Sequence, residues 1–306
     1  MTRWSNSGEG AVGGSRGGAP QSNSGEALGS APPAPDTSAL TGEERIAAAF
    51  EAVAGEGRAA LMPYMMAGYP DRESSLAVAE AYVDSGADLI ELGVPFSDPL
   101  ADGPTIHAAA TAALEAGATF ATALEVCRLV SARVPVVLMA YANMVLAHGG
   151  AAEFAGLARA AGAAGAIVPD LPLGEADEVR DELAAAGLAL VPLVAPTTLP
   201  ERRARICAVA HGFVYVVSTV GTTGERAEIP AALADLVAAT KADSEVPVAV
   251  GFGIGTPEQA AQVGRIADGV IVGSRLVRAA GEGGAPEAAA DAVAAFLSET
   301  RVALAR

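Results

Sequence analysis

The chain has 306 residues, 51% of them hydrophobic, with 19 Lys and Arg against 36 Asp and Glu for a formal charge of −17. That is ample for a buried core, and the acidity excludes a nucleic-acid binder, because phosphate backbones demand Lys/Arg patches and none is present. No uninterrupted apolar run approaches the roughly 18 residues of a membrane span, and Arg3 and Arg16 precede no apolar signal segment, so a cytoplasmic protein is expected.

Residues 1–40 are dominated by Gly, Ser, Pro and Ala without an apolar period. Such a segment buries too little to offset its ordering entropy, so it reads as a disordered extension, with a partner-binding tail as the alternative. The folded domain is expected over 41–306. Thr41-Gly42-Glu43-Glu44 opens a helix with an N-cap and an acidic first turn. Strands are then predicted at Ala60–Met66, Leu89–Leu92, Pro135–Ala140, Ala166–Pro169, Leu188–Leu193, Val214–Val217, Val248–Val250 and Val270–Val272. Between them, helical spacing of apolar residues marks Ser74–Asp84, Thr119–Ala132, Ala151–Ala161, Glu175–Ala186, Ala231–Lys241 and Pro257–Val263. The strand runs are apolar at consecutive positions, as in parallel strands covered on both faces. Eight strand–helix units in order predict a closed (β/α)8 TIM barrel in a single domain, with a doubly wound open sheet as the alternative. The joints Ser85-Gly86-Ala87-Asp88, Ala161-Gly162-Ala163-Ala164 and Ala267-Asp268-Gly269 resemble one another, each offering a Gly for a left-handed helix end. Cys127 and Cys207 lack a CxxC spacing and read as core thiols. His107, His148 and His211 are scattered and make no metal site.

In a barrel the chemistry lies where the strands exit at their C-terminal ends. Glu91 is a charge within the apolar run Leu89–Leu92, and burial there would raise its pKa into the range of general acid–base work; a local ion pair is the other reading. The exit loop Gly93-Val94-Pro95-Phe96-Ser97-Asp98-Pro99-Leu100-Ala101-Asp102-Gly103-Pro104 leads to a helix whose first turn Pro104 can occupy. Asp102 would lie at that helix's N-terminus, where the dipole lowers its pKa, so the two carboxylates would be pushed apart. An N-cap role for Asp102 stays open. Gly251-Phe252-Gly253-Ile254-Gly255 runs into the capped start Thr256-Pro257-Glu258-Gln259, and Gly273-Ser274 opens another short helix. Glycines and helix N-termini after the last two strands make a barrel phosphate cradle. The segment Ser218–Arg226 is small and polar and suits a mobile lid, or equally a plain surface loop. These residues reach an acid–base enzyme acting on a phosphorylated substrate.

The run Glu91–Ile106, with Tyr141-Ala142-Asn143, Val168-Pro169-Asp170-Leu171-Pro172, Gly221-Thr222-Thr223-Gly224 and Gly251-Phe252-Gly253-Ile254, resembles the tryptophan synthase α subunit family over roughly Thr41 to Leu304. The resemblance implies retro-aldol cleavage of indole-3-glycerol phosphate to indole and glyceraldehyde 3-phosphate. It implies that Glu91 carries both proton transfers and that Asp102 binds the indole N–H and stabilises charge on the ring. Tyr64, Met139, Tyr215 and Ile271 would contact the substrate, Gly224, Gly253, Gly273 and Ser274 would bind its phosphate, and Thr223 would help close the lid. Asp98, Pro99 and Asn143 would face a β subunit in an α2β2 heterotetramer. The cofactor, pyridoxal phosphate, would belong to that partner, and Lys241, the one lysine here, sits at a helix end. The chain departs from the family pattern at Thr219-Val220, where an Arg-Ser-like pair is common, and at His107, where Gln is common. Another phosphate-binding barrel enzyme, or a subunit that only activates its partner, are the competing readings.

Overall fold

The computed structural model describes residues 40–147, 149–175, 177–218, 232–251 and 253–305. The strands are β1 (Ala60–Met66), β2 (Ile90–Gly93), β3 (Val136–Met139), β4 (Gly165–Ile167), β5 (Ala189–Leu190), β6 (Leu193–Val194), β7 (Val214–Val217), β8 (Val248–Gly251) and β9 (Gly269–Val272). All pairings are parallel, in the order β5-β4-β3-β2-β1-β9-β8-β7-β6. The expected strand Leu188–Leu193 is two short pieces, β5 bonded to β4 and β6 bonded to β7. Pro192 lies between them and has no N–H for the ladder. The hand-over is continuous all the same: Val191 N–H donates to Ala166 O at 2.9 Å and Tyr215 N–H to Pro192 O at 3.0 Å. The two pieces thus act as one barrel strand and close the ring, so the fold is a TIM barrel and not an open sheet.

Closure explains the consecutive apolar runs. In β1, Ala60, Met62, Tyr64 and Met66 join the inner cluster with Val137, Ile167, Tyr215 and Ala249. Leu61, Met65 and Ala67 alternate with them and pack outward against helix residues such as Val78, Tyr82 and Leu297. The helix Gly42–Gly55 plugs the lower end with Ile46, Phe50 and Val53, and Phe50 meets Phe213 at 5.8 Å between ring centroids. Its start is the expected N-cap, a full capping box in which Glu44 N–H donates to Thr41 Oγ1 at 3.2 Å and Thr41 N–H to Glu44 Oε2 at 2.7 Å.

Helices follow the strands at Arg72–Asp84, Phe120–Val130, Gly150–Ala160, Asp177–Ala185, Leu233–Asp243 and Pro257–Gly264, close to the predicted spans. Pro200–Cys207 and Pro286–Leu304 were not anticipated. The first is short and rich in Arg, and Ala throughout the second dilutes its apolar period. Two of the three similar joints hold a left-handed Gly, Gly86 and Gly162, both at φ 84°. The third does not. Gly269 is a strand residue, glycine because a Cβ would lie 2.6 Å from Met62 Sδ. Cys127 and Cys207 are buried free thiols. Among the described residues no helix is long and apolar enough to cross a membrane. Residues 1–39 of the expected extension over 1–40, and His148, lie outside the described residues.

Candidate active site

The site is built at the upper ends of the strands. In β2 the outward residues are Ile90 and Leu92, so the period of two turns Glu91 into the barrel opposite Tyr64 of β1. Glu91 is 2% exposed, and its Oε2 has no hydrogen-bond partner among the described residues. No cation pairs with Glu91 among the described residues, against the ion-pair reading. Burial, then the negative charge of Asp102, push the Glu91 carboxyl up to about 8, so near neutrality it holds a proton.

The loop after β2 crosses the barrel mouth and ends at the helix Pro104–Glu115. Gly103 is the N-cap of this helix and no side chain caps it, so Asp102 is not the cap. Asp102 Oδ1 is buried without a partner among the described residues. The expected lowering of its pKa by the helix dipole is overturned. Burial pushes the carboxyl up to about 6, although the nearby Tyr141 hydroxyl and His107 pull it down. The dipole acts over one turn of an exposed end, whereas burial withdraws this carboxyl from water. The two carboxyls are separated in pKa as expected, but both by moving upward.

Tyr64, Met139, Tyr215 and Ile271 meet in one buried cluster from β1, β3, β7 and β9, together with Ile106. Burial raises both tyrosine phenols well above their ordinary value, and Glu91 and Asp102 each raise them further, so both carboxylates lie close to both rings. The phenols stay neutral. Tyr82 O–H donates to the Tyr64 carbonyl at 3.0 Å and fixes β1 from behind. Gly93 and Gly251 leave room for the hydroxyls, since a Cβ at Gly93 would collide with that of Tyr64 and one at Gly251 with that of Tyr215.

Gly253 follows β8, and Gly273-Ser274 follows β9, the paired neighbour of β8. Gly253 takes φ 86°, open to glycine at little cost. The two helix starts differ. The helix Pro257–Gly264 is capped by its own side chains: Gly255 and Thr256 N–H donate to Gln259 Oε1 at 2.8 and 3.2 Å, and Gln259 N–H donates to Thr256 Oγ1. The helix Ser274–Glu282 has no side-chain cap, and Ser274 is buried. Its first N–H groups are the ones left for an anion. Thr223 and Gly224 lie outside the described residues, as do Thr219, Val220 and Phe252. Asp98 is exposed, with Ser97 O–H donating to it at 2.6 Å, and Asn143 is exposed on the short helix Ala142–Leu146. Pro99 is half-buried and His107 faces solvent.

Sequence reasoning missed Tyr141 as a site residue. It stands at the exit of β3 beside Asp102, and an aromatic hydroxyl closing the run Pro135–Ala140 was the available signal.

A family model described as tryptophan synthase alpha chain matches residues 50–304. The chain belongs to the tryptophan synthase alpha chain family. The alpha chain of Chloroflexus aurantiacus is 46% identical over 265 residues, 86% of this chain and 99% of that one. That of Prochlorococcus marinus is 49% identical over 238 residues, 76% of this chain and 86% of its own. Among solved structures, a chain of Mycobacterium tuberculosis tryptophan synthase superposes with a TM-score of 0.80 at 40% identity, covering 86% of this chain and 98% of that one. The alpha subunit of Legionella pneumophila gives 0.76 at 38% identity, covering 87% and 99%. The matched span of this tryptophan synthase alpha chain family member contains Glu91, Asp102 and the other site residues placed in this subsection.

Proposed function

We propose that the chain cleaves indole-3-glycerol phosphate to indole and glyceraldehyde 3-phosphate, with Glu91 and Asp102 as its catalytic residues. The observation that carries this reading is the pair of unpartnered buried oxygens, Glu91 Oε2 and Asp102 Oδ1, at the mouth of an apolar barrel. A buried polar atom without a partner is costly and calls for a ligand group to satisfy it.

With its carboxyl at about 8, Glu91 starts protonated. It gives that proton to indole C3, which leaves the ring cationic. Asp102, ionised above about 6, accepts the ring N–H and balances the charge. The Glu91 carboxylate then takes the proton of the glycerol 3′-hydroxyl. The bond between ring and side chain breaks, its electrons return to the indole, and the aldehyde forms. Glu91 ends as it began. Tyr64, Met139, Tyr215 and Ile271 hold the ring. The phosphate sits at Gly253, Gly273 and Ser274, chiefly on the uncapped Ser274 helix, with Gly224 and the lid residue Thr223 completing the closure. The product indole passes to a β subunit that carries pyridoxal phosphate, in an α2β2 assembly in the cytoplasm. Asp98, Pro99 and Asn143 face that partner.

Replacing Glu91 with Gln tests the assignment. Loss of a general acid–base group costs about 10²–10⁴-fold, and here one group serves two transfers. Indole release from indole-3-glycerol phosphate should fall by at least that much, while glycerol-phosphate binding by calorimetry persists. Retention of more than about a tenth of the activity would contradict the role.

A further inference from the structure

We propose that Tyr141 is a positioning residue for Asp102: it clamps the exit loop of β2 and turns the Asp102 carboxylate toward the ring-binding pocket. The proposal rests on the reading that Asp102 serves the lyase reaction, and deepens it.

Two contacts and one electrostatic interaction reach the loop from this one side chain. The Tyr141 ring stacks on Phe96 at 5.1 Å between centroids and 28° between planes. Its hydroxyl accepts Ala101 N–H at 3.1 Å. The same hydroxyl lies close enough to the Asp102 carboxyl to pull its pKa down. A phenol has one proton and its lone pairs. Ala101 N–H takes a lone pair, so the proton is the part left for the carboxylate, which when ionised can only accept. Burial keeps the phenol protonated across the working pH range.

Tyr141 is itself anchored. Its carbonyl accepts N–H from Met144 at 2.9 Å and Val145 at 3.2 Å, and Ala142 N–H donates to Asp170 Oδ1 at 2.8 Å. The exit of β4 thus holds the exit of β3, which holds the loop from β2. A loop carrying a catalytic carboxylate gains its geometry from such support, because a displacement of about 1 Å can cost about a hundredfold. Among the described residues, the other titratable groups acting on Asp102 or Tyr141 are Glu91 on β2, Tyr64 on β1, Tyr215 on β7, His107 on the following helix and Asp170.

The test is steady-state cleavage across pH with the full chain. Tyr141→Phe keeps the ring and removes the hydroxyl. We expect kcat to drop about tenfold to a hundredfold, the effect of losing a hydrogen bond to a charged group, with KM changing far less. The acid limb, set by Asp102 near 6 in the unmodified protein, should move to higher pH, because the lost donor favoured the ionised form. Phe96→Leu removes the stack and keeps the hydroxyl, so its acid limb should stay in place. In a double-mutant cycle, Asp102→Asn with Tyr141→Phe should be no slower than Asp102→Asn alone, since Tyr141 acts through Asp102. An unmoved limb in Tyr141→Phe, an equal shift in Phe96→Leu, or multiplying losses in the cycle would each overturn the proposal. If Asp102→Asn alone left activity intact, the underlying reading of Asp102 would fail instead.

Discussion

Glu91 and Asp102, the proposed catalytic pair, bear on the stability of this site. The Glu91 carboxyl titrates near 8 in the folded chain and near 4.5 when unfolded. A carboxyl whose pKa is raised by folding contributes its stability below the unfolded value and loses it as pH climbs through the folded one. The window is therefore about 4.5 to 8, and within it the native state weakens as pH rises. A neutral isostere escapes this. Glu91→Gln should unfold at a higher temperature than the unmodified chain at pH 9, and the advantage should shrink to nothing near pH 5. Thermal melts at several pH values check it, and a Gln variant equally destabilised at pH 9 would show that Glu91 is partnered there. This is the usual trade of stability against function in an active site. Glu91 was legible in the sequence because a lone charge in an apolar strand stands out at the scale of four residues. Asp102 was legible as a participant but its pKa direction was not: the dipole argument sees one helix end, whereas burial comes from β1, β3 and β7. Tyr141 was harder still. Its partner Ala101 lies 40 positions earlier, and no local pattern announces such a contact.

At the scale of elements, hydrophobic runs located the strands because a barrel strand is covered on both faces. They did not reveal the break at Pro192, since apolarity reports burial and not which neighbour takes each hydrogen bond. The similar joints were legible as a repeat, but what the first and third share physically lies in their aspartates, which the second joint, Ala161-Gly162-Ala163-Ala164, lacks. Asp88 Oδ2 accepts Leu61 N–H at 2.7 Å, and Asp268 Oδ2 accepts Val248 N–H at 2.9 Å, so each joint ties its own strand to the next one round the barrel. Each also holds a cation, Arg58 at 2.6 Å from Asp88 and Lys241 at 2.7 Å from Asp268. The environments differ. The Arg58 side chain is 3% exposed and that of Lys241 37%. Removing one partner of a buried pair costs up to about 3–5 kcal/mol, less here because Glu56 at 2.7 Å still pairs Arg58, whereas exposed pairs contribute about 0–1 kcal/mol. Asp88→Ala should therefore lower the denaturation midpoint more than Asp268→Ala does, and both should keep their kcat while folded, being at the end of the barrel away from Glu91. Urea titrations decide it. Equal losses would mean that the shared backbone bond, and not the cation, sets the energy.

At the scale of the whole molecule, the upper face combines chemistry with an unusual surface. Leu100, between Pro99 and the catalytic loop end, is 81% exposed, and Leu146, on the helix bearing Asn143, is 49% exposed. Large apolar side chains left in water beside a catalytic loop mark a surface that a partner covers. The two segments are joined through Tyr141, which precedes Asn143 by two residues, holds Ala101 and lies close to Asp102. A β subunit seated on Asp98, Pro99 and Asn143 would therefore press on both ends of the same support and narrow the positions open to Asp102. The expected result is a rise in cleavage rate when the β subunit is added to this chain. Asp98 is exposed and touches the site only along the backbone, so Asp98→Ala should weaken that activation about tenfold while the slow reaction of the isolated chain stays nearly intact. Rates of indole release with and without the β subunit, for both proteins, measure it. Loss of the isolated chain's activity in Asp98→Ala as deep as in Asp102→Asn would make Asp98 part of the chemistry, and full activation of the variant would place the docking energy elsewhere on the face, with Leu100 and Leu146 the first positions to substitute.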